Sequence, residues 1–215
     1  LQGEAIVNQK EIIMTNFLYQ NDLPDNLKFG NILAIDTETT GLRLNRDRLC
    51  VIQISDGNGD AHLVQFQSNN YNSPNLKKLL SNKKKLKLFH YARFDVAVVK
   101  LFLGIELENI YCTKIASKLV RTYTDAHGLR ALCKELAGVD LSKEQQSSDW
   151  ASSEISEAQI RYAASDVLHL HVLKGKLDEM LNREGRYEMA NRCFDFLKTR
   201  VELDISGFSN DIFSH

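Results

Sequence analysis

The sequence predicts an α/β protein, a mixed β-sheet flanked by α-helices. Three observations carry that expectation. Residues 31–42 open on four consecutive apolar residues, Ile32 to Ile35, the pattern of a strand buried on both faces. Two further strand-like runs follow closely, Leu49 to Ser55 and Ala61 to Phe66, joined by Asp56-Gly57-Asn58-Gly59. That spacing implies an antiparallel meander. Beyond residue 73, short apolar runs alternate with helical periodicity, and a strand, helix, strand succession implies a crossover with parallel pairing.

Taken in order, residues 1–30 carry weak signals, an edge strand near Ile12 to Leu18 and a turn over Asn21 to Asp25 containing Pro24. Ser73-Pro74 reads as an N-cap with proline at the first helical position, starting a helix through Leu76, Leu79 and Leu80. Lys87 to His90 is the next strand, followed by a helix from about Phe94 to Leu103. Tyr111-Cys112 is a short strand before a helix over Thr113 to Val120. Asp125 is expected to cap a helix through Leu129, Leu132, Cys133 and Leu136, with Gly138 ending it. Val139 to Ser153 is polar and reads as a surface loop. Ser156 to Gln159 is a capping box opening one long helix through Ile160, Ala163, Val167, Leu170 and Leu173, and the chain stays helical to about Val201. No repeat or low-complexity linker interrupts it.

With 215 residues and 43% hydrophobic content, one domain over residues 1–215 is expected. Net charge is −1, which excludes a global electrostatic field for nucleic acid; any such partner must be held locally. Cys50, Cys112, Cys133 and Cys193 show no metal-binding spacing, and three of them sit in apolar-periodic segments, as reduced cysteines of a cytoplasmic protein would. The longest apolar stretch, Val96 to Ile105, contains Lys100 and is too short to span a bilayer, so no membrane association is expected. The start at Leu1 rather than Met reads as a processed or recombinant N-terminus. Lys83, Lys84, Lys85 and Lys87 form a charge run expected to be solvated surface, while Lys114, Lys118, Arg121, Arg130 and Lys134 recur at helical intervals and suggest a backbone-contacting strip.

The chemistry resides in four carboxylates. Asp36 and Glu38 alternate at the C-terminal end of the first buried strand, which places them on one face ~6–7 Å apart. Burying two like charges there is costly without a cation, and a divalent-metal site follows. Asp95 opens a helix after a strand, where the helix N-terminus favours an anion. Asp166 lies mid-helix after Ala163, Ala164 and Ser165, with Tyr162 four residues earlier and therefore on the same face. Four carboxylates from three elements can converge into one cluster.

These segments resemble the three exonuclease motifs of the DEDD superfamily of 3′–5′ exonucleases, with Tyr162 marking the tyrosine branch; the histidine branch uses the position five before the last Asp, here Arg161. The fuller likeness, over roughly residues 31–183, is to the catalytic domain of bacterial ribonuclease D. It rests on His90-Tyr91-Ala92-Arg93-Phe94-Asp95, on Gly138-Val139-Asp140-Leu141 with Ser148-Asp149-Trp150, and on Tyr162-Ala163-Ala164-Ser165-Asp166-Val167. Two departures stand out. Cys112-Thr113 occupies a place where relatives often have Asp-Thr, and the helical extension at about 184–215 is too short for the nucleic-acid-binding domains of longer members.

The resemblance implies a ribonuclease H-like fold and a two-metal exoribonuclease that trims RNA 3′ ends and releases 5′-mononucleotides, as in tRNA processing. Oxygen-only ligands favour two Mg2+ or Mn2+ ions. Asp36 would bridge both, Glu38 and Asp166 would complete one site, Asp95 would act mainly at the other, and Tyr162 would orient the attacking water. Thr39 and Leu42 stand where relatives contact the terminal nucleotide, although Leu42 also fits a loop-to-core leucine. His90 and Phe94 read as structural, with His90 retained as a substrate contact. Trp150 fits either a base-stacking platform or a core anchor. The expected partner is the single-stranded 3′ end of RNA. Single-stranded DNA is the rival substrate, and a non-catalytic nucleic-acid-binding protein is the rival function; protein partners are not indicated.

Overall fold

The computed structural model describes residues 15–142, 144–145, 147–208, 210 and 212–214. Among these, six strands form one sheet: β1 (Asn16–Gln20), β2 (Ile32–Thr39), β3 (Leu49–Ser55), β4 (Ala61–Gln65), β5 (Leu86–Phe89) and β6 (Ile110–Cys112), in the order β1-β4-β3-β2-β5-β6. β2, β3 and β4 are the expected antiparallel meander; β1 on β4, β5 on β2 and β6 on β5 are parallel, so the sheet is mixed. The predicted edge strand lies on β1, shifted towards the C-terminus, and its first residues, 12–14, fall outside the described ones.

β2 is the middle of this arrangement, between β3 and β5. It continues through Thr39, so Asp36 and Glu38 lie in its C-terminal half, as the sequence places them. β3 reads in sequence as half-exposed, yet all seven of its residues are buried. The cause is helix α5 (Glu157–Leu168), which packs across β2, β3 and β4 and covers Gln53 as well as its apolar neighbours.

Helix α1 (Pro74–Leu80) starts where expected, but Ser73 makes no capping bond. Asp22, from the turn after β1, caps it instead, accepting from the amides of Asn75 at 3.0 Å and Leu76 at 2.8 Å. Helix α2 (Ala92–Val98) runs into a π-helical turn, Val99–Leu103, that ends on left-handed Gly104. Helix α3 (Thr113–Val120) matches its prediction. Helix α4 (Leu129–Leu132) begins after Gly128, not at Asp125, and passes through a second π turn to Gly138. The Ser156 capping box forms, but the expected single long helix breaks at His169 into α5 and α6 (Leu170–Arg183), and α7 (Tyr187–Ile205) is the last helix among the described residues.

Three polar expectations need correction. Lys87 is fully buried, with its ammonium donating to the carbonyls of Asn82 at 2.6 Å and Glu108 at 2.9 Å, so it leaves the solvated run. Arg121 is buried too, paired with Glu135 and donating to the Ala126 carbonyl, and so does not belong to a nucleic-acid-facing strip. Trp150 is only 3% exposed, which makes it the anchor of an otherwise polar loop. Among the described residues all four cysteines are free, and no helix is long and apolar enough to cross a membrane.

Candidate active site

A cleft of about 1090 Å³ opens at the C-terminal end of β2. β2 supplies Asp36 and Glu38, the first turn of α2 supplies Asp95, and α5 supplies Tyr162 and Asp166 one turn apart. Carboxylate oxygens of Asp36, Glu38 and Asp166 all lie within 4.8 Å of one another. Asp95 stands outside that trio. Thr37, alternating away from Asp36 and Glu38 on β2, donates its hydroxyl to Asp95 Oδ1 at 2.7 Å and fixes it deeper, where it is 4% exposed.

The electrostatics of this cluster are those of acids deprived of counter-charge. Burial is the largest influence on Asp36 and raises its pKa well above the carboxylate range, with repulsion from Asp95, Asp166 and Glu38 adding to it. Glu38 is raised well above its ordinary value for the same reasons. Burial lifts Asp95 to about 7 despite the Thr37 hydrogen bonds, and lifts Asp166 to about 7 despite a hydrogen bond from Tyr162. Four acids driven together, each with its pKa raised and with only oxygen donors, are the donor set of hard divalent cations, whose charge would relieve both burial and repulsion. The residues fit Mg2+ or Mn2+.

Tyr162 is raised above its usual range by burial and then by the Asp166, Glu38 and Asp36 charges, so it remains a phenol at neutral pH. Trp150 packs against it with ring centroids 6.2 Å apart. Trp150 is 3% exposed, most of its surface packed as a core anchor's would be, yet it also contributes to the cleft lining. Leu42 goes the other way: it is 81% exposed and lines the cleft, so it is not a core leucine. Thr39 also lines the cleft, with its hydroxyl donating to the Gly41 carbonyl at 2.5 Å.

His90 lies in the cleft wall in a defined protonation state. Burial, and then the Lys114 charge, lower it to about 3, so its ring is neutral. Thr113 donates its single hydroxyl proton to the Phe89 carbonyl at 3.1 Å and meets His90 Nδ1 at 2.9 Å. With the Thr113 hydroxyl given to the Phe89 carbonyl, the consistent tautomer carries its proton on Nδ1 and has Nε2 as the acceptor.

Three contributors escape the sequence reading. Gln53, directly across the ladder from Asp36, donates to its Oδ2 at 2.7 Å; a glutamine inside an otherwise apolar strand was the available signal. Thr37 was legible only as the residue between two acids. Tyr91 holds φ 71, a left-handed conformation that costs a bulky residue about 1–3 kcal/mol, and no sequence pattern announces it. Of the basic residues proposed as a strip, Lys114, Arg130 and Lys134 do line the cleft.

Comparison with known proteins now bears on this geometry. A family model described as 3′-5′ exonuclease matches residues 12–182. Ribonuclease D of Gluconacetobacter diazotrophicus is 32% identical over 76% of this chain and 41% of its own length. DNA polymerase I of Aquifex aeolicus is 33% identical over 79% of this chain and 27% of its own. The chain thus spans less than half the length of these relatives. Brucella melitensis NrnC bound to pGG is 52% identical, covering 94% of this chain and 99% of that one, with TM-score 0.89. The same protein with bound Mg2+ superposes with TM-score 0.88 at 50% identity, over 94% of this chain and 100% of that one. The mixed sheet and its flanking helices are the ribonuclease H-like fold of DEDD exonucleases.

Proposed function

The chain belongs to the ribonuclease D-like 3′–5′ exonuclease family, and we propose that it is a metal-dependent exoribonuclease that removes nucleotides singly from RNA 3′ ends and releases 5′-mononucleotides. The observation that carries this reading is the trio Asp36, Glu38 and Asp166 within 4.8 Å, with Asp95 and Tyr162 in the same cleft. Asp36, Glu38, Asp95 and Asp166 would hold two divalent cations, Mg2+ or Mn2+, with Asp36 placed to serve both; the Mg2+-bound Brucella relative supports Mg2+. When bound, they supply charge neutralisation on the phosphate and acidify the attacking water.

The chain's own groups do the rest. Tyr162 keeps its proton and orients the attacking water as a hydrogen-bond partner, and Trp150 holds the phenol in place. Gln53 fixes one oxygen of Asp36, which sets the direction of the other. Leu42 supplies an exposed apolar surface for a base, and neutral His90 offers Nε2 to a hydroxyl of the substrate. The pGG complex of the Brucella relative supports including 5′-phosphorylated dinucleotides among the substrates, and we place the reaction in the cytoplasm. The likeness to DNA polymerase I keeps single-stranded DNA as the second reading.

The test gives 5′-labelled RNA and DNA oligonucleotides and pGG to the protein with Mg2+, Mn2+ or chelator, beside Asp166→Ala and Tyr162→Phe. A one-nucleotide ladder from the RNA 3′ end, dependent on metal and on Asp166, is expected. Tyr162→Phe should slow turnover by roughly 100-fold or more with metal affinity retained. Activity that survives chelation overturns the metal mechanism, and equal or faster degradation of DNA overturns the RNA preference.

A further inference from the structure

The loop between β2 and β3, residues 40–48, carries Thr40, Gly41 and Leu42 into the wall of the cleft and then turns back to Asp47. Leu42 is 81% exposed, so its side chain makes too little contact to hold itself in place. Its position depends on the two peptide units that flank it, and both are held. The Gly41 carbonyl accepts from the Thr39 hydroxyl at 2.5 Å, and the Arg43 amide donates to Asp47 Oδ2 at 2.9 Å. We propose that Asp47 is the positioning residue for Leu42, a buried carboxylate around which the loop is wound so that its leucine already stands in the cleft before a substrate arrives. This role rests on the exoribonuclease reading, in which Leu42 meets a base, and adds what keeps that surface in place.

Three observations converge on Asp47. It is 6% exposed in a loop whose Arg43, Asn45 and Arg46 are all exposed, and it is not among the residues that line the cleft. Any effect it has on a ligand therefore passes through the loop. Next, its oxygens are occupied from within the loop. Arg46 donates from Nε to Oδ1 at 2.7 Å and from Nη2 to Oδ2 at 2.8 Å, and the Asp47 amide donates to the Arg43 carbonyl at 2.8 Å. The Arg46 bonds, and then that of the Arg43 amide, hold the Asp47 carboxyl below the usual carboxylate range, so it is charged at neutral pH.

The last observation is the fit between Asp47 and Gly41. A Cβ at Gly41 would lie 2.4 Å from Asp47 Oδ2 and 2.8 Å from its Cγ, closer than real contacts allow. Gly41 does not have a positive φ, so the position uses the missing Cβ and not the backbone freedom of glycine. The carboxylate occupies the space that a side chain beside Leu42 would need. A loop ordered in this way spares binding the cost of ordering it.

The test is a pair of double-mutant cycles on RNA cleavage, with KM and kcat read separately and Mg2+ affinity measured by calorimetry. Asp47→Ala should raise KM roughly fivefold or more, with kcat and Mg2+ affinity held within about twofold. In a Leu42→Ala background the same change should add less than about twofold, because nothing is left to position. Gly41→Ala should raise KM as Asp47→Ala does, yet add less than about twofold to Asp47→Ala, where the obstructing carboxylate is gone. Should Asp47→Ala fold poorly, Gly41→Ala displaces the same carboxylate without deleting it and carries the comparison with Leu42→Ala. Trypsin reads the loop without activity: cleavage after Arg43 and Arg46 should quicken at least about fivefold in Asp47→Ala, and less in Asp47→Asn, whose amide oxygen still accepts from Arg43. Losses that multiply in the Leu42→Ala background, an unchanged KM, a fall in Mg2+ affinity or wild-type proteolysis of the loop each overturn the role. A wild-type protein that cleaves no RNA overturns the exoribonuclease reading instead, while trypsin still decides whether Asp47 holds the loop, and so the two failures are distinct.

Discussion

At the scale of single residues the acid cluster is a folding liability that a cation converts into a binding site. Asp166 is raised to about 7, chiefly by burial, against an ordinary value of 3.8. Between those values the metal-free folded state holds a proton that the unfolded chain has released, so this group's contribution to stability falls as pH rises and its penalty is complete above about 7. Asp166→Asn removes the penalty. In chelator at pH 8 the variant should melt above wild type, by roughly 3 °C or more, with the gap closing towards pH 4. With Mg2+ at pH 8 the order should reverse, because only the wild type keeps the full ligand set. Thermal melts across that pH range decide it; a wild type that is more stable than the variant in chelator at pH 8 contradicts the account. The acids were legible in the sequence because two periodicities expose them, two along β2 and three to four along α5. Gln53 showed only as a polar residue in a strand, its role hidden until strand register set it beside Asp36, and Tyr91 was hidden because its role depends on a backbone angle.

At the scale of elements, local patterns located most strands and helices, and the misreadings have a common physical origin in tertiary packing. Ser73-Pro74 correctly marks the start of α1, but Asp22, 53 and 54 positions from the amides it caps, provides the cap. Lys87 looks like surface until β5 is seen to lie inside the sheet, where two backbone carbonyls replace water around its ammonium and burial brings its pKa down to about 8. The break at His169 is likewise unmarked by glycine or proline; it redirects α6 from the β2–β4 face covered by α5 towards β5 and α3, with β2 still in contact. The cap makes a clean test. Asp22→Ala should cost about 1 kcal/mol by chemical denaturation, whereas Ser73→Ala, which removes no capping bond, should stay within about 0.5 kcal/mol of wild type. A larger loss for Ser73→Ala would return the cap to the position its sequence suggests.

At the scale of the whole molecule, the C-terminal helix is part of the apparatus that positions the site, although the motifs all precede it. Asp204 on α7 accepts from Arg93 at 2.5 Å through two bonds and from Arg200 at 2.7 Å. Arg93 is two residues from Asp95 on α2, so the pairing ties the helix that delivers a candidate metal ligand to the end of the chain. The Asp204 side chain is 7% exposed, while its partners are 35% and 15% exposed. Burial alone would raise Asp204, but the two guanidinium groups hold it below the usual carboxylate value. A depressed folded pKa means stability that is present above the unfolded value of 3.8 and is lost as pH falls through the lower folded one. Asp204→Ala should therefore lower stability by about 1–3 kcal/mol at pH 7, a figure discounted from that of a fully buried pair because Arg93 is part-exposed. The loss should hold steady down to about pH 5 and shrink below pH 4. It should also weaken Mg2+ binding to the folded protein, measured by calorimetry, since α2 is freed from α7. A variant with wild-type Mg2+ affinity would confine Asp204 to stability and disconnect the C-terminal helix from the metal site.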